Sequence, residues 1–260
     1  MDIESLRHEK EKTYGTIMMV VGGLSWLVIV LGTLGLALLY LACIALVVWL
    51  TSLYFKAIIY GDSVKVTAKQ YPELHRILLD QSRRMGLREV PEMFIYNGSG
   101  IINAMAVRFL STRYVILMSS LVDLMLKRGK LDELGFVIGH ELGHHAAGHT
   151  NLWRNLLMGP GRIIPLLGAA YNRSRELTCD RIGAAAIGDA RASQNALISI
   201  AMGSESLGNQ TDIGEFIAQE SQVPELMGFL HKIFSHYLRM TRRVIEVNNF
   251  QQRGTGFVAV

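Results

Sequence analysis

The sequence predicts an α+β fold, mainly helical with a small β-sheet, preceded by a transmembrane helical hairpin. Three observations lead there. No residue from 16 to 55 is charged. Short runs rich in β-branched and aromatic residues follow, at 90–96, 101–109 and 114–118, and these read as strands. After them, apolar residues recur at helical spacing, and one such helix carries His140-Glu141-Leu-Gly-His144.

The uncharged stretch comes first. A single helix over it would be about 60 Å long, twice the roughly 30 Å hydrocarbon core. Gly32-Thr-Leu-Gly35 interrupts it near the middle. The reading is therefore two spans, about 17–31 and 36–58, with both ends on one side. Arg7, Lys10 and Lys12 flank one end and Lys56, Lys65 and Lys69 the other. The positive-inside rule then places the rest of the chain in the cytosol, the anchor lying in the inner (plasma) membrane. Half of the residues are hydrophobic and the net charge is +4, with a mean hydropathy of +0.27. Such mild basicity suits an anionic membrane surface. No basic run interleaved with aromatics points to nucleic acid. Two cysteines, Cys43 and Cys179, are too few for a disulfide framework. The expected divisions are residues 1–60 as arm and hairpin, 61–250 as the catalytic domain, and 251–260 as a flexible tail.

A helix is expected within 62–87, starting at Tyr71-Pro72-Glu73 with proline in its first turn and ending at Gly86. The strand at 90–96 and the turn Asn97-Gly-Ser-Gly100 come next. In Asn103-Ala104-Met105-Ala106 the small residues either let another backbone approach closely or pack as an ordinary inner strand. A short helix at 121–130 leads into the helix that begins at Leu131, whose Asp132 and Glu133 suit its positive N-terminal end.

Two histidines four apart on a helix are separated by about 400° of rotation, so His140 and His144 point the same way. Both imidazoles can hold one metal ion. Glu141 stands about 100° round, off the ligand row but within reach of a water on that ion. Peptide hydrolysis needs a base in that place. A third donor at the tenth position after His140 is excluded, because that residue is Thr150. His149 is a step early and about 180° round the helix. His145 reads as a packed histidine. Downstream, Glu176 and Asp180 lie four apart, on one helical face. Glu176 is the expected third ligand, and Asp180 the carboxylate that holds a ligand histidine by its other nitrogen.

These pieces resemble the HtpX and CAAX-prenyl-endopeptidase family of membrane-associated gluzincin metalloproteases. The resemblance rests on Asn103-Ala-Met-Ala106, the HELGH core, Glu176-x-x-x-Asp180, and Ser235-His236 followed by arginines. It spans roughly residues 60–250. It implies a zincin-like domain, one Zn2+ per chain on His140, His144 and Glu176, Glu141 as general base, and endopeptidase activity. Substrates would be membrane or misfolded proteins, as in protein quality control, docking along Asn103, Ala104, Met105 and Ala106. His236 would donate to the oxyanion, and Arg242 or Arg243 matches the family's late arginine. Cys179 stands where the family usually has alanine, and Tyr237 where it has proline.

Residues 152–171 are apolar but broken by Gly159-Pro-Gly161 and Pro165, too short on either side to span a bilayer. They either touch the membrane or shield the cleft. Two rival functions stand beside the protease: a membrane anchoring or assembly protein with a structural zinc site, and an enzyme processing prenylated tails. The latter normally needs a large multi-span chamber, which two spans cannot enclose. The sequence leaves the oligomeric state open.

Overall fold

The computed structural model describes residues 1–109, 112–127, 130–164, 166–204, 207, 210–235 and 237–255. A short α1 (Ile3–Leu6) precedes α2 (Glu9–Gly32) and α3 (Leu36–Asp62). The turn between them falls at the expected glycine, with Gly35 at φ +87°. Residues of α2 and α3 such as Val28, Leu31, Leu39, Tyr40 and Val47 are exposed.

Then come β1 (Ser63–Lys65), α4 (Pro72–Arg84), β2 (Glu92–Tyr96), β3 (Ala104–Phe109) and β4 (Thr112–Met118). The sheet order is β1-β2-β4-β3. β2 and β4 run parallel, and the outer strands β1 and β3 are antiparallel to their neighbours. β1 was not expected: three residues are too few to show an alternating pattern. The sheet alternates faces with period two. Met93, Ile95, Val115 and Leu117 face the main core. Phe94, Tyr114 and Ile116 face the end of α3, where they meet Ile59 and Phe55. The Phe55 and Phe109 rings stand 4.5 Å apart, so the second apolar helix is clamped to the sheet by aromatic packing.

The remaining elements among the described residues are α5 (Ser119–Lys127), α6 (Leu131–Ala146), α7 (Leu152–Arg162), α8 (Leu167–Ile187), α9 (Ala190–Met202), α10 (Ile213–Ala218), a 3-10 turn (Gln219–Gln222), α11 (Glu225–Phe234) and α12 (Met240–Thr255). Helix α6 is the centre. Leu134, Phe136, Val137, Ile138 and Leu142 are buried, and α6 packs against the sheet, α4, α5, α8 and α9. Helix α8 crosses α6 at very close range. A Cβ on Gly183 would lie 2.8 Å from the Phe136 carbonyl oxygen and 3.1 Å from the His140 nitrogen. Only glycine permits that approach, and it brings the acidic residues of α8 against the histidines of α6. Helix α12 runs through Thr255, into the segment expected as a tail; residues 256–260 lie outside the described residues.

Candidate active site

Helix α6 presents His140 and His144 on one side, their ring centroids 5.1 Å apart. Glu176 of α8 faces both: its Oε2 is 3.4 Å from His140 Nε2 and its Oε1 3.7 Å from His144 Nε2. Donors about 2.0–2.1 Å from a tetrahedral zinc ion stand about 3.4 Å apart, so this trio has the dimensions of three corners of such a site. His140 Nδ1 is 2.9 Å from Asp180 Oδ1. Arg243 of α12 grips the same carboxylate with two bonds, Nη2 to Oδ1 at 2.6 Å and Nε to Oδ2 at 2.8 Å. Arg242 instead bonds Glu220, so the arginine that reaches the site is Arg243.

The electrostatics ask for a cation. Burial disfavours a charged His140 ring, but Asp180 and Glu176 outweigh it and raise its pKa to about 10. Burial holds His144 well below its ordinary value. Burial also opposes ionisation of Glu176, yet His140, His144 and Arg243 hold its carboxyl well below the usual range. In the protein alone, then, the cluster keeps one extra proton between two carboxylates, where a dication would satisfy the same field.

Cys179 competes for the third position, with its sulfur within 4.8 Å of ring nitrogens of both histidines. Its surroundings argue against it. Cys179 is fully buried, its sulfur turns to His149 Nδ1 at 3.5 Å, and burial pushes its thiol well up. A metal ligand must be the thiolate. Glu176 is the better donor because it lines the open cleft and is already ionised.

That cleft has a volume of about 480 Å³. One wall is Asn103, Ala104, Met105 and Ala106; His140, Glu141, His144 and Glu176 form the floor; Arg175, Tyr237 and Arg243 are among the other lining residues. Strand β3, which carries Ala104–Phe109, is an outer strand of the sheet, so among the described residues one of its edges is free of strand pairing. Glu141 is 7% exposed. Burial pushes its carboxyl up to about 7; Glu176 adds to the rise, while His140, Arg243 and a hydrogen bond from the Ala106 backbone oppose it. A carboxyl near neutrality can both take and return a proton.

Residues 68–159 match the model of peptidase family M48. The chain is thus similar to the M48 metallopeptidases over about a third of its length. The match contains the α6 motif and stops short of Glu176. A chloroplast protein of Arabidopsis thaliana, the plastoglobule-localized metallopeptidase 48, is 26% identical over 174 residues, covering 61% of this chain and 48% of that protein. The chain thus aligns with about half the length of this curated M48 relative. No solved structure matches.

His145 is packed, 5% exposed, with Nε2 on the Tyr114 carbonyl and Nδ1 on Thr150 Oγ1. His236 lies outside the described residues. Helical geometry sets His149 aside as a ligand unless the helix ends there, and it does end. Helix α6 ends at Ala146, Gly148 turns the chain at φ +74°, and His149 swings back so that its Nδ1 lies 3.1 Å from His144 Nδ1. Uninterrupted helical geometry had placed it on the opposite side.

Proposed function

We propose that the chain is a membrane-anchored zinc endopeptidase that cleaves peptide bonds in membrane or misfolded proteins. The carrying observation is the convergence of His140, His144 and Glu176 at ligand spacing, with Glu141 beside them on the floor of an open cleft. A closed structural site would have no such access and no unligated base. His140, His144 and Glu176 would hold the ion. Bound there, zinc supplies Lewis acidity, lowering the pKa of a water and polarising a carbonyl. Glu141 takes the proton of the attacking water and delivers it to the departing amine. An extended substrate adds to the free edge of β3 along Asn103, Ala104, Met105 and Ala106 by main-chain hydrogen bonds, and the edge lies against Glu141. Asp180, fixed by Arg243, holds His140 with its Nε2 toward the ion. His236 would stabilise the oxyanion as a donor.

The membrane reading rests on α2 and α3. They have 24 and 27 residues and are long and apolar enough to cross a bilayer, about 36 and 40 Å at ~1.5 Å per residue. Helix α7 supports it and favours membrane contact for the segment after His149. Pro160 has no N–H, so the Leu156 carbonyl four residues earlier lacks its helical partner. Trp26 of α2 supplies one, Nε1 to that oxygen at 2.9 Å. A freed carbonyl in hydrocarbon requires such a donor. Trp153, Leu156, Leu157 and Ile163 are exposed on this segment, and no α7 residue is among those lining the cleft. On this reading α7 dips into the bilayer beside α2, and the flanking lysines and arginines put the catalytic domain on the cytosolic side.

The test is peptide-library cleavage and metal content measured together on the full chain in detergent. One zinc per chain with cleavage that Glu141→Gln abolishes is the expected result. Normal turnover by Glu141→Gln would remove the mechanism.

A further inference from the structure

The two histidines of α6 are not supported alike. His140 leans directly on a carboxylate of its own domain, Asp180. His144 leans on a second histidine, and that histidine leans on the membrane helix. His149 Nε2 is 3.0 Å from Oε1 of Glu11, in the first turns of α2. Glu11 is fully buried and His149 is 2% exposed. Arg7 bonds the same Glu11 oxygen and also donates to the Ala147 carbonyl at the end of α6, at 3.1 Å. Thr178 of α8 donates to the other oxygen, Oε2, at 2.5 Å. A carboxylate this buried is destabilising unless every bond to it is made.

The order of protons along this chain is forced. His144 can face the ion through Nε2 only if its own proton sits on Nδ1. His149 must then accept at Nδ1 and carry its proton on Nε2, aimed at Glu11. The ionised Glu11 fixes that tautomer, and with it the direction of the whole row. Cys179 Sγ, 3.5 Å from His149 Nδ1, is a weak competitor for the same lone pair.

We propose that Glu11 and His149 are positioning residues for His144, so that the seating of α2 on the peptidase domain sets the affinity and geometry of the metal centre; this rests on the zinc site proposed above. The apolar hairpin then does more than tether. Lifting its first turns away removes the acceptor that orients one of three ligands.

The alternative is that Glu11, His149 and Arg7 only dock α2 to the domain. Zinc competition against a chromophoric chelator and the visible spectrum of the cobalt-substituted protein separate the two, using the full chain in detergent. Glu11→Gln and His149→Phe are each expected to weaken zinc binding about 10–100-fold and to shift the cobalt bands. The double variant is expected to bind no more weakly than the poorer single one, because both break one row. Singles that hold zinc within twofold of wild type with unchanged cobalt bands, or losses that multiply in the double variant, overturn the proposal. If either variant does not fold, His149→Asn keeps an acceptor for His144 while breaking the link to Glu11; wild-type affinity and spectrum there overturn it equally. Failure of the zinc site itself looks different: wild type binds no stoichiometric zinc, or His144→Ala binds as tightly as wild type.

Discussion

Arg243 holds Asp180 by both oxygens, at 2.6 and 2.8 Å, and Asp180 in turn holds His140. Asp180 is 1% exposed, and although burial opposes its ionisation, Arg243 and His140 keep its carboxyl below the usual range. Replacing Arg243 by methionine would leave a buried carboxylate without its counter-ion. The expected loss is about 3–5 kcal/mol of stability, with zinc bound about 10–100-fold more weakly. Arg243→Lys should recover part of the stability but not the two-pronged grip. Denaturant melts and zinc titration of the two variants check this.

In the proposed mechanism Glu141 moves protons and does not hold the metal. Glu141→Gln should retain one zinc per chain while kcat/KM falls by about 10²–10⁴-fold. Glu176→Gln should instead lose zinc and activity together. Chelator treatment of wild type should abolish cleavage, and added zinc should restore it. Metal analysis beside a peptide cleavage assay distinguishes the two variants.

His145 is a buried neutral imidazole. Burial is the main cause, with Arg113 and Arg108 adding to it against the bond to the Tyr114 carbonyl, and its pKa is lowered from 6.5 to about 4. The unfolded chain therefore takes up this proton first as pH falls. The stability from His145 is complete above about pH 6.5 and is lost progressively towards pH 4, by about 1.4 kcal/mol per pH unit for this one group. His145→Gln, which keeps a donor and an acceptor, should flatten the slope by that amount. Melts of the zinc-loaded protein between pH 7.5 and 4.5 would measure it; an unchanged slope would remove the assignment.

Trp26 and Pro160 should be coupled. Trp26→Phe removes the donor to the Leu156 carbonyl and is expected to lower stability in bilayer-like micelles by about 1–2 kcal/mol. Pro160→Ala returns a helical N–H to that carbonyl. In its background the Trp26→Phe loss should shrink by at least half. A double-mutant cycle of thermal stability reads the coupling directly; additive losses would show that the bond contributes nothing.

Periodicity along the chain is a local property, and it determined the features that depend on it. The α6 spacing put His140 and His144 on one face, the uncharged stretch folded back at Gly35, and Glu176 and Asp180 share a helical face as their spacing required. Strand β1 escaped because three residues carry no period. Distances between segments are a different matter. Whether Glu176 or Cys179 turns to the histidines depends on how α8 seats against α6, which the close contact at Gly183 fixes, and whether Arg242 or Arg243 reaches Asp180 depends on how α12 packs on α8 and α9. The same holds for Glu11 and His149: they meet only because α6 stops, the chain reverses at Gly148, and α2 packs against α8. A polar side chain in the first turns of an apolar helix carries no mark in sequence of the buried partner that compensates its charge. Only packing brings the two together, because the cost of burying each is offset solely in the other's presence.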